Sequence, residues 1–356
     1  MRYTKEQDIT ITDGVDFTSD MLHLAPDAPR REYYSRKKEG EIKTSVHWGQ
    51  RKLLMSEIAF LVYFWDPKEV PHPIVVYAGA ACGDHIPLLP DLFPQIKEFH
   101  LYDPEPFSID PTDKLRLYSQ LFTVDTAKEW SGRDDVLFIS DIRTGDYTKM
   151  TSSDNEKAII EDMELQKRCV EIIQPVQAHL KFRLPYSDFD EEYMKVHYLD
   201  GYAFLQPWAP HTSTETRLVP VKNGGEYTTK VWDAIQYEEQ LFYHNTVYRS
   251  MQLYNNPFLH KNNTRHKPIK TYEAHRERLV PLHPPELTND YDSMAEVHIL
   301  RAYFGKFDLT PSKQEVCDLS DKITVELNRY TSRSKTMDSL RKRSIEQQRK
   351  LKKNRV

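Results

Sequence analysis

Four charged residues stand where the surrounding sequence is otherwise built for an interior. Lys52 lies in Gln50-Arg51-Lys52-Leu53-Leu54, and Asp141 follows the strand-like Val136-Leu137-Phe138-Ile139-Ser140. Lys181 opens Lys181-Phe182-Arg183-Leu184-Pro185, and Glu215 sits in Ser213-Thr214-Glu215-Thr216-Arg217. Singly, each has an ordinary reading: a snorkelling lysine, a strand-end aspartate, a surface lysine, a surface glutamate. Together, two lysines and two carboxylates near strand ends are what a proton-abstracting site could use. A neutral lysine can take a proton from a hydroxyl when burial and neighbours bring its pKa towards neutrality, and carboxylates can orient ammonium groups.

A second pattern concerns ligand binding. The β-branched run Ile74-Val75-Val76-Tyr77 leads into Gly79-Ala80-Ala81-Cys82-Gly83-Asp84-His85 and then a short helix to about Phe93. Strand, small-residue turn, helix is how an open α/β sheet receives a nucleotide-like ligand at the carboxyl ends of its strands. Glycine lets the backbone approach that ligand closely. Asp103 follows Gly79 by 24 residues and ends the next strand, where its carboxylate can accept from both hydroxyls of a ribose. The turn lacks the G-x-G-x-x-G pattern that seats a dinucleotide pyrophosphate, which disfavours a nicotinamide dehydrogenase. A ligand with adenosine and ribose but no phosphate, S-adenosyl-L-methionine, fits better. A plain tight turn with a structural Asp103 remains the alternative at this point.

The elements that must position these residues follow from periodicity. Gln50 to Trp65 reads as a helix largely buried on one face, stopped by Asp66-Pro67. Strands are expected at Ile74–Tyr77, Phe99–Tyr102, Leu115–Phe122 and Val136–Ile139, with a long helix from about Asn155 to Ile173. Strands alternating with helices imply an α/β, Rossmann-like sheet, mostly parallel, with helices on both faces. Ala178–Leu184, Tyr202–Gln206, Thr216–Val221 and Tyr227–Val231 read as further strands extending the same sheet, some antiparallel. Asp233–Met251, Ser293–Phe304 and Lys313–Tyr330 read as helices. The expected organisation is an arm over 1–46 laid on the surface, a core over 47–254, an extension of the same domain over 255–332 and a tail over 333–356.

Composition bounds the rest. The chain has 356 residues, 39% hydrophobic and 29% charged, enough for a sizeable core on a wet surface. No run approaches the roughly 18 apolar residues of a membrane helix, and the polar start argues against a secretory signal. Cys82, Cys169 and Cys317 lie too far apart for a disulfide framework or a C-x-x-C zinc site, so no metal is expected. The net charge of −5 hides a tail of +8 over residues 333–356 and a body of −13. That asymmetry suits a narrow nucleic-acid site in the body, with the tail strengthening RNA binding in a salt-sensitive way.

The order Lys52–Asp141–Lys181–Glu215 on such a sheet resembles the poxvirus-type cap-specific RNA ribose 2′-O-methyltransferases. Tyr77-Ala78-Gly79 to Ile86, Ser140-Asp141-Ile142-Arg143, Leu180 to Asp188, Gln206-Pro207-Trp208-Ala209-Pro210 and Glu215-Thr216-Arg217-Leu218 carry the match, from about Gly49 to Arg249. The resemblance implies transfer of a methyl group from S-adenosyl-L-methionine to the first transcribed nucleotide of capped mRNA. It also implies a possible second role as the processivity subunit of a poly(A) polymerase, paired with a catalytic polymerase chain. A non-catalytic RNA-binding accessory subunit is the alternative. Host cytoplasm is the implied location, with no membrane partner.

Residue by residue, the resemblance makes Lys52, Asp141, Lys181 and Glu215 the catalytic group, with Lys181 nearest the target hydroxyl. It assigns Gln50, Tyr77, Gly79, Gly83, His85, Asp103, Phe122, Asp141 and Arg143 to the methyl donor. For the cap it assigns Tyr186, Asp188 and Glu238, with Tyr33 or Tyr34 as a second stacking ring. Arg143 and Arg183 would hold phosphates, and Ser213 would help position the first nucleotides. Methylation makes the cap guanine cationic, so stacking gains a cation–π contribution and nearby carboxylates become favourable.

Overall fold

In the computed structural model, which describes residues 15–32, 49–145, 149–210, 213–249, 254–255 and 290–330, the first strand is buried at all five positions. A strand without a solvent face belongs in the middle of a parallel sheet covered on both sides. In chain order the strands are β1 (Ile74–Ala78), β2 (Glu98–Tyr102), β3 (Leu115–Tyr118), β4 (Val136–Ser140), β5 (Gln177–Phe182), β6 (Lys195–Leu199), β7 (Gly201–Phe204), β8 (Thr216–Pro220), β9 (Lys222–Asn223), β10 (Glu226–Tyr227) and β11 (Thr229–Asp233). The helices are α1 (Gly49–Tyr63), α2 (Leu88–Leu92), α3 (Val124–Glu129), α4 (Ser152–Ile173), α5 (Ala234–Tyr243), α6 (Tyr291–Lys306) and α7 (Lys313–Tyr330).

Seven strands form one sheet in the order β3-β2-β1-β4-β5-β8-β7. The first five are parallel to one another, and β8 runs antiparallel between β5 and β7. The chain lays β2 and β3 on one side of β1 and then crosses back to β4. Gly79 and Asp141 therefore flank the topological switch point, the crevice where such sheets take ligands.

Several expectations change. β3 ends at Tyr118, and Phe122 lies in the loop before α3, a helix that periodicity did not suggest; Thr123 caps it by accepting from the Thr126 amide at 3.3 Å. β11 does not extend the main sheet but pairs with the unanticipated β6. Alternation fixes which face of a strand is buried and says nothing of its partner. The arm is not simply laid on the surface: Leu24 N–H donates to Ala203 at 2.8 Å and Leu205 N–H to Leu22 at 2.7 Å, so residues 22–24 cover the exposed edge of β7. Tyr34 and the 333–356 tail lie outside the described residues.

The helix α1 is buried over eight consecutive positions, Leu54 to Leu61, not along one face. The sheet covers one side, where Tyr77 of β1 meets Glu57 and His179 of β5 stacks on Phe60, and α6 and α7 pack against the helix. The fastening is ionic: Arg51 donates from Nε to Glu296 Oε2 at 2.8 Å, and from its other nitrogens to Ser320 Oγ at 2.7 Å and Thr324 Oγ1 at 2.8 Å. Trp208 Nε1 completes the Glu296 carboxylate at 2.8 Å. A second buried pair, Arg249 with Asp292 at 2.9 Å, ties the start of α6 to the segment after α5.

Candidate active site

β1 hands its chain to the small-residue turn at Gly79, whose φ of +79° is open to glycine alone without strain. A Cβ there would lie 2.7 Å from Ile142 N and 2.8 Å from the carbonyl carbon of Asp141. The two central strands thus meet backbone to backbone, which sets the Asp141 side chain beside the turn. Gly83 repeats the conformation at φ +85°, against Ile109. Asp103 braces the turn: its Oδ2 accepts from Ala81 N–H and its Oδ1 from Glu105 N–H, each at 2.9 Å. Gly79→Ala is expected to cost about 1–2 kcal/mol for the left-handed backbone alone. The clash adds to that, seen as a lower denaturation midpoint in urea.

The four charged residues converge. Lys181 Nζ stands 3.1 Å from Asp141 Oδ1 and 3.6 Å from Glu215 Oε2, and Lys52 Nζ lies 2.8 Å from Glu215 Oε1. The parallel register of β4 and β5 brings Asp141 and Lys181 level just past Ser140 and Leu180, and the antiparallel register of β5 and β8 sets Lys181 opposite Arg217. Lys52 reaches the group from α1.

Sequence reasoning missed the fifth member. Arg217 is fully buried, with Nη1 2.6 Å from Asp141 Oδ1, Nη2 3.7 Å from Glu215 Oε1, and Nε donating to Gln206 Oε1 at 2.9 Å. An arginine inside Thr216-Arg217-Leu218-Val219-Pro220 was the available signal, since a charge in a strand buried at every position needs a partner. Three cations thus hold two carboxylates. Burial would raise Asp141, but Arg217 and then Lys181 outweigh it and keep the carboxyl well below its ordinary range. Glu215 behaves alike: burial pushes it up, while Lys181, Lys52 and Arg217 pull it further down. Burial draws the Lys52 ammonium below its ordinary range, against an opposing pull from Glu215.

Other assigned residues fall elsewhere. Tyr77 is 1% exposed and donates its hydroxyl to Glu57 Oε1 at 2.6 Å. His85 Nε2 lies 2.9 Å from the same oxygen, and its Nδ1 lies 2.8 Å from Gln50 Oε1. The side chains of Tyr77 and His85 therefore brace the turn from beneath, with Glu57, a residue the sequence did not single out, as their anchor. Gln50 spends its carbonyl on His85. Phe122 is a core ring, packed edge-on against Tyr102 at 5.1 Å. Arg143 is partly buried, 3.8 Å from Asp162, and burial lowers its pKa.

The loop after β5 forms a second cluster. Arg183 is buried and its guanidinium is committed to Glu156 of α4, with Nη1 3.1 Å from Oε1, so it is not free for a phosphate. Its guanidinium carbon stands 4.0 Å from the centroid of the Tyr186 ring. Glu156 Oε2 also accepts from Tyr186 N–H at 3.3 Å, and the buried Glu238 accepts from Ser187 N–H at 2.9 Å. Asp188 is exposed beside them. Ser213 Oγ accepts from Glu215 N–H at 3.1 Å, fixing the backbone that carries that carboxylate. Among the described residues no group of three or more His, Cys, Asp or Glu could hold a metal ion, and no described helix is long and apolar enough to cross a membrane.

Comparison with known proteins adds a family. Residues 23–324 match the model described as poly A polymerase regulatory subunit. The match runs past residue 255, so α6 and most of α7 fall within the family pattern, whereas the sequence resemblance stopped near Arg249. The chain is 29% identical over 236 residues to the cap-specific mRNA (nucleoside-2′-O-)-methyltransferase of Fowlpox virus (strain NVSL), covering 61% of this chain and 73% of that one. It is 26% identical over 225 residues to the protein of the same name from Myxoma virus (strain Lausanne), covering 60% of this chain and 65% of that one. Among solved structures, human methyltransferase-like protein 13 in complex with SAH overlaps 55% of this chain and 91% of its own, at 11% identity and a TM-score of 0.32. Streptomyces venezuelae DesVI overlaps 55% of this chain and 81% of its own, at 11% identity and a TM-score of 0.21. Both overlaps are partial, and the fold assignment rests on the strand order.

Proposed function

Since the chain belongs to the poly A polymerase regulatory subunit family, we propose that it is a cap-dependent mRNA 2′-O-methyltransferase using S-adenosyl-L-methionine. The observation that carries this reading is the convergence of Lys52, Asp141, Lys181, Glu215 and Arg217 beside the Gly79 turn. The viral relatives bearing that activity in their names support it. The turn suits the donor: Gly79 lets the chain pass close against Asp141, and the Asp103 carboxylate stands at the same turn, beside Ala81 N–H. When bound there, S-adenosyl-L-methionine supplies a methyl carbon on a positively charged sulfur.

The chain's own residues then have distinct work. Lys181 holds the ribose 2′-hydroxyl at the crevice and, having first released its own proton to water, receives the hydroxyl proton as the new O–C bond forms; the methyl carbon would leave the donor's sulfur, which would keep the bonding pair and become a neutral thioether. Asp141 and Glu215, ionised and fixed by Arg217 and Lys52, hold the Lys181 nitrogen in place. Tyr186 stacks on the cap base, and Asp188 and Glu238 favour its positive charge. The family also points to a poly(A) polymerase catalytic chain as partner.

The test is transfer of labelled methyl groups to capped RNA. Label should enter the ribose of the first transcribed nucleotide. Uncapped RNA, and capped RNA already 2′-O-methylated there, should take none. Label in a base, or no label in any capped RNA, would refute the reading.

A further inference from the structure

Tyr186 offers one face to a ligand, because Arg183 covers the other at 4.0 Å. A cation over one face of an aromatic ring draws on the same quadrupole that a second cation would use from the opposite face. Left alone, Arg183 would therefore weaken stacking of a positively charged base relative to a neutral one. Glu156 removes that conflict. Its carboxylate takes both terminal nitrogens of Arg183, with Nη1 3.1 Å from Oε1 and 3.3 Å from Oε2, and both residues are buried. The same carboxylate accepts from Tyr186 N–H at 3.3 Å, so ring placement and charge cancellation come from one side chain.

Resting on the cap-binding reading of Tyr186, we infer that Glu156 is a specificity-determining residue: by neutralising the cation behind the ring, it allows the open face to prefer a methylated, positively charged guanine. It touches neither the base nor the reacting atoms. Its hydrogen bonds run to Arg183 and Tyr186 and to none of Lys52, Asp141, Lys181 or Glu215, which separates this role from the methyl-transfer chemistry.

The experiment measures affinity of the full chain for 7-methyl-GTP and GTP, with S-adenosylhomocysteine binding as a check of the fold. Wild type should prefer 7-methyl-GTP. Glu156→Gln should lower that preference about two- to fivefold, the size of a cation–π contribution at an exposed site. Glu156→Gln with Arg183→Met should restore it, because neither charge is then present. Arg183→Met alone removes the cation behind the ring, and with it the main charge that opposes protonation of the buried Glu156, so it should hold the preference at the wild-type level or raise it; this arm decides the matter if Glu156→Gln does not fold. Equal weakening of both ligands in Glu156→Gln without repair in the double variant would reduce Glu156 to loop support and overturn the inference. So would an unchanged ratio in Glu156→Gln, or a lower ratio in Arg183→Met. A wild type without preference sinks the cap reading and this inference with it; a wild-type preference untouched by Glu156→Gln sinks only the inference.

Discussion

Replacing Lys181 with alanine is expected to slow methyl transfer to capped RNA by about 10²- to 10⁴-fold, the usual worth of a positioned proton acceptor. Binding of S-adenosylhomocysteine should be unchanged, because Lys181 lies at the far side of Asp141 from the Gly79 turn and its ion pairs are with Asp141 and Glu215. Lys181→Arg sharpens the test. Arginine keeps a positive charge near the two carboxylates but does not give up its proton in a protein. If Lys181 serves as proton acceptor, the arginine variant stays as slow as alanine in single-turnover assays. Recovery by arginine would show that charge and placement suffice and would remove the proton from Lys181.

Arg217→Leu should be the most destabilising single change in the site. Arg217 is 1% exposed, and its removal leaves Asp141 and Glu215 with less compensation inside the protein. Breaking one side of a buried ion pair costs about 3–5 kcal/mol. The loss has a signature in pH. Asp141 and Glu215 are held below their ordinary values of 3.8 and 4.5, so the stability they contribute is complete above those values and is lost as pH falls through the folded-state values. Without Arg217 the depression weakens. The gap between wild type and variant in urea unfolding should therefore be widest at neutral pH and shrink progressively as pH falls below about 4, where the unfolded chain and the variant take up protons that the folded wild-type site still refuses. A gap that is constant across pH would assign the loss to packing instead.

The parts of the fold written in local chemistry could be read from the chain. β1 and β4 are short β-branched or aromatic runs, and Gly79 and Asp141 mark their ends in plain letters. Lys52, Asp141, Lys181 and Glu215 were conspicuous because charge is costly among apolar neighbours. What stayed hidden depends on partners distant in sequence. Nothing near Arg183 shows that it turns to Glu156, 27 positions earlier, instead of outward. His85 and Tyr77 sit beside the ligand turn, yet Glu57 on α1 claims both. β11 shows the alternation of a sheet strand, but only the assembled molecule reveals that β6 is its neighbour.

Three consecutive residues of α1 serve three separate neighbourhoods: Gln50 meets His85 under the turn, Arg51 meets Glu296 of α6, and Lys52 meets Glu215. Successive helical residues point about 100° apart, so this arrangement depends on angular phase as much as on side-chain identity. Glu57, further along the same helix, must keep its own bearing towards Tyr77 and His85. One residue inserted or deleted between Lys52 and Glu57 would rotate one set of contacts by about 100° against the other. Homologous chains can therefore exchange letters along α1 while its length between these positions stays fixed.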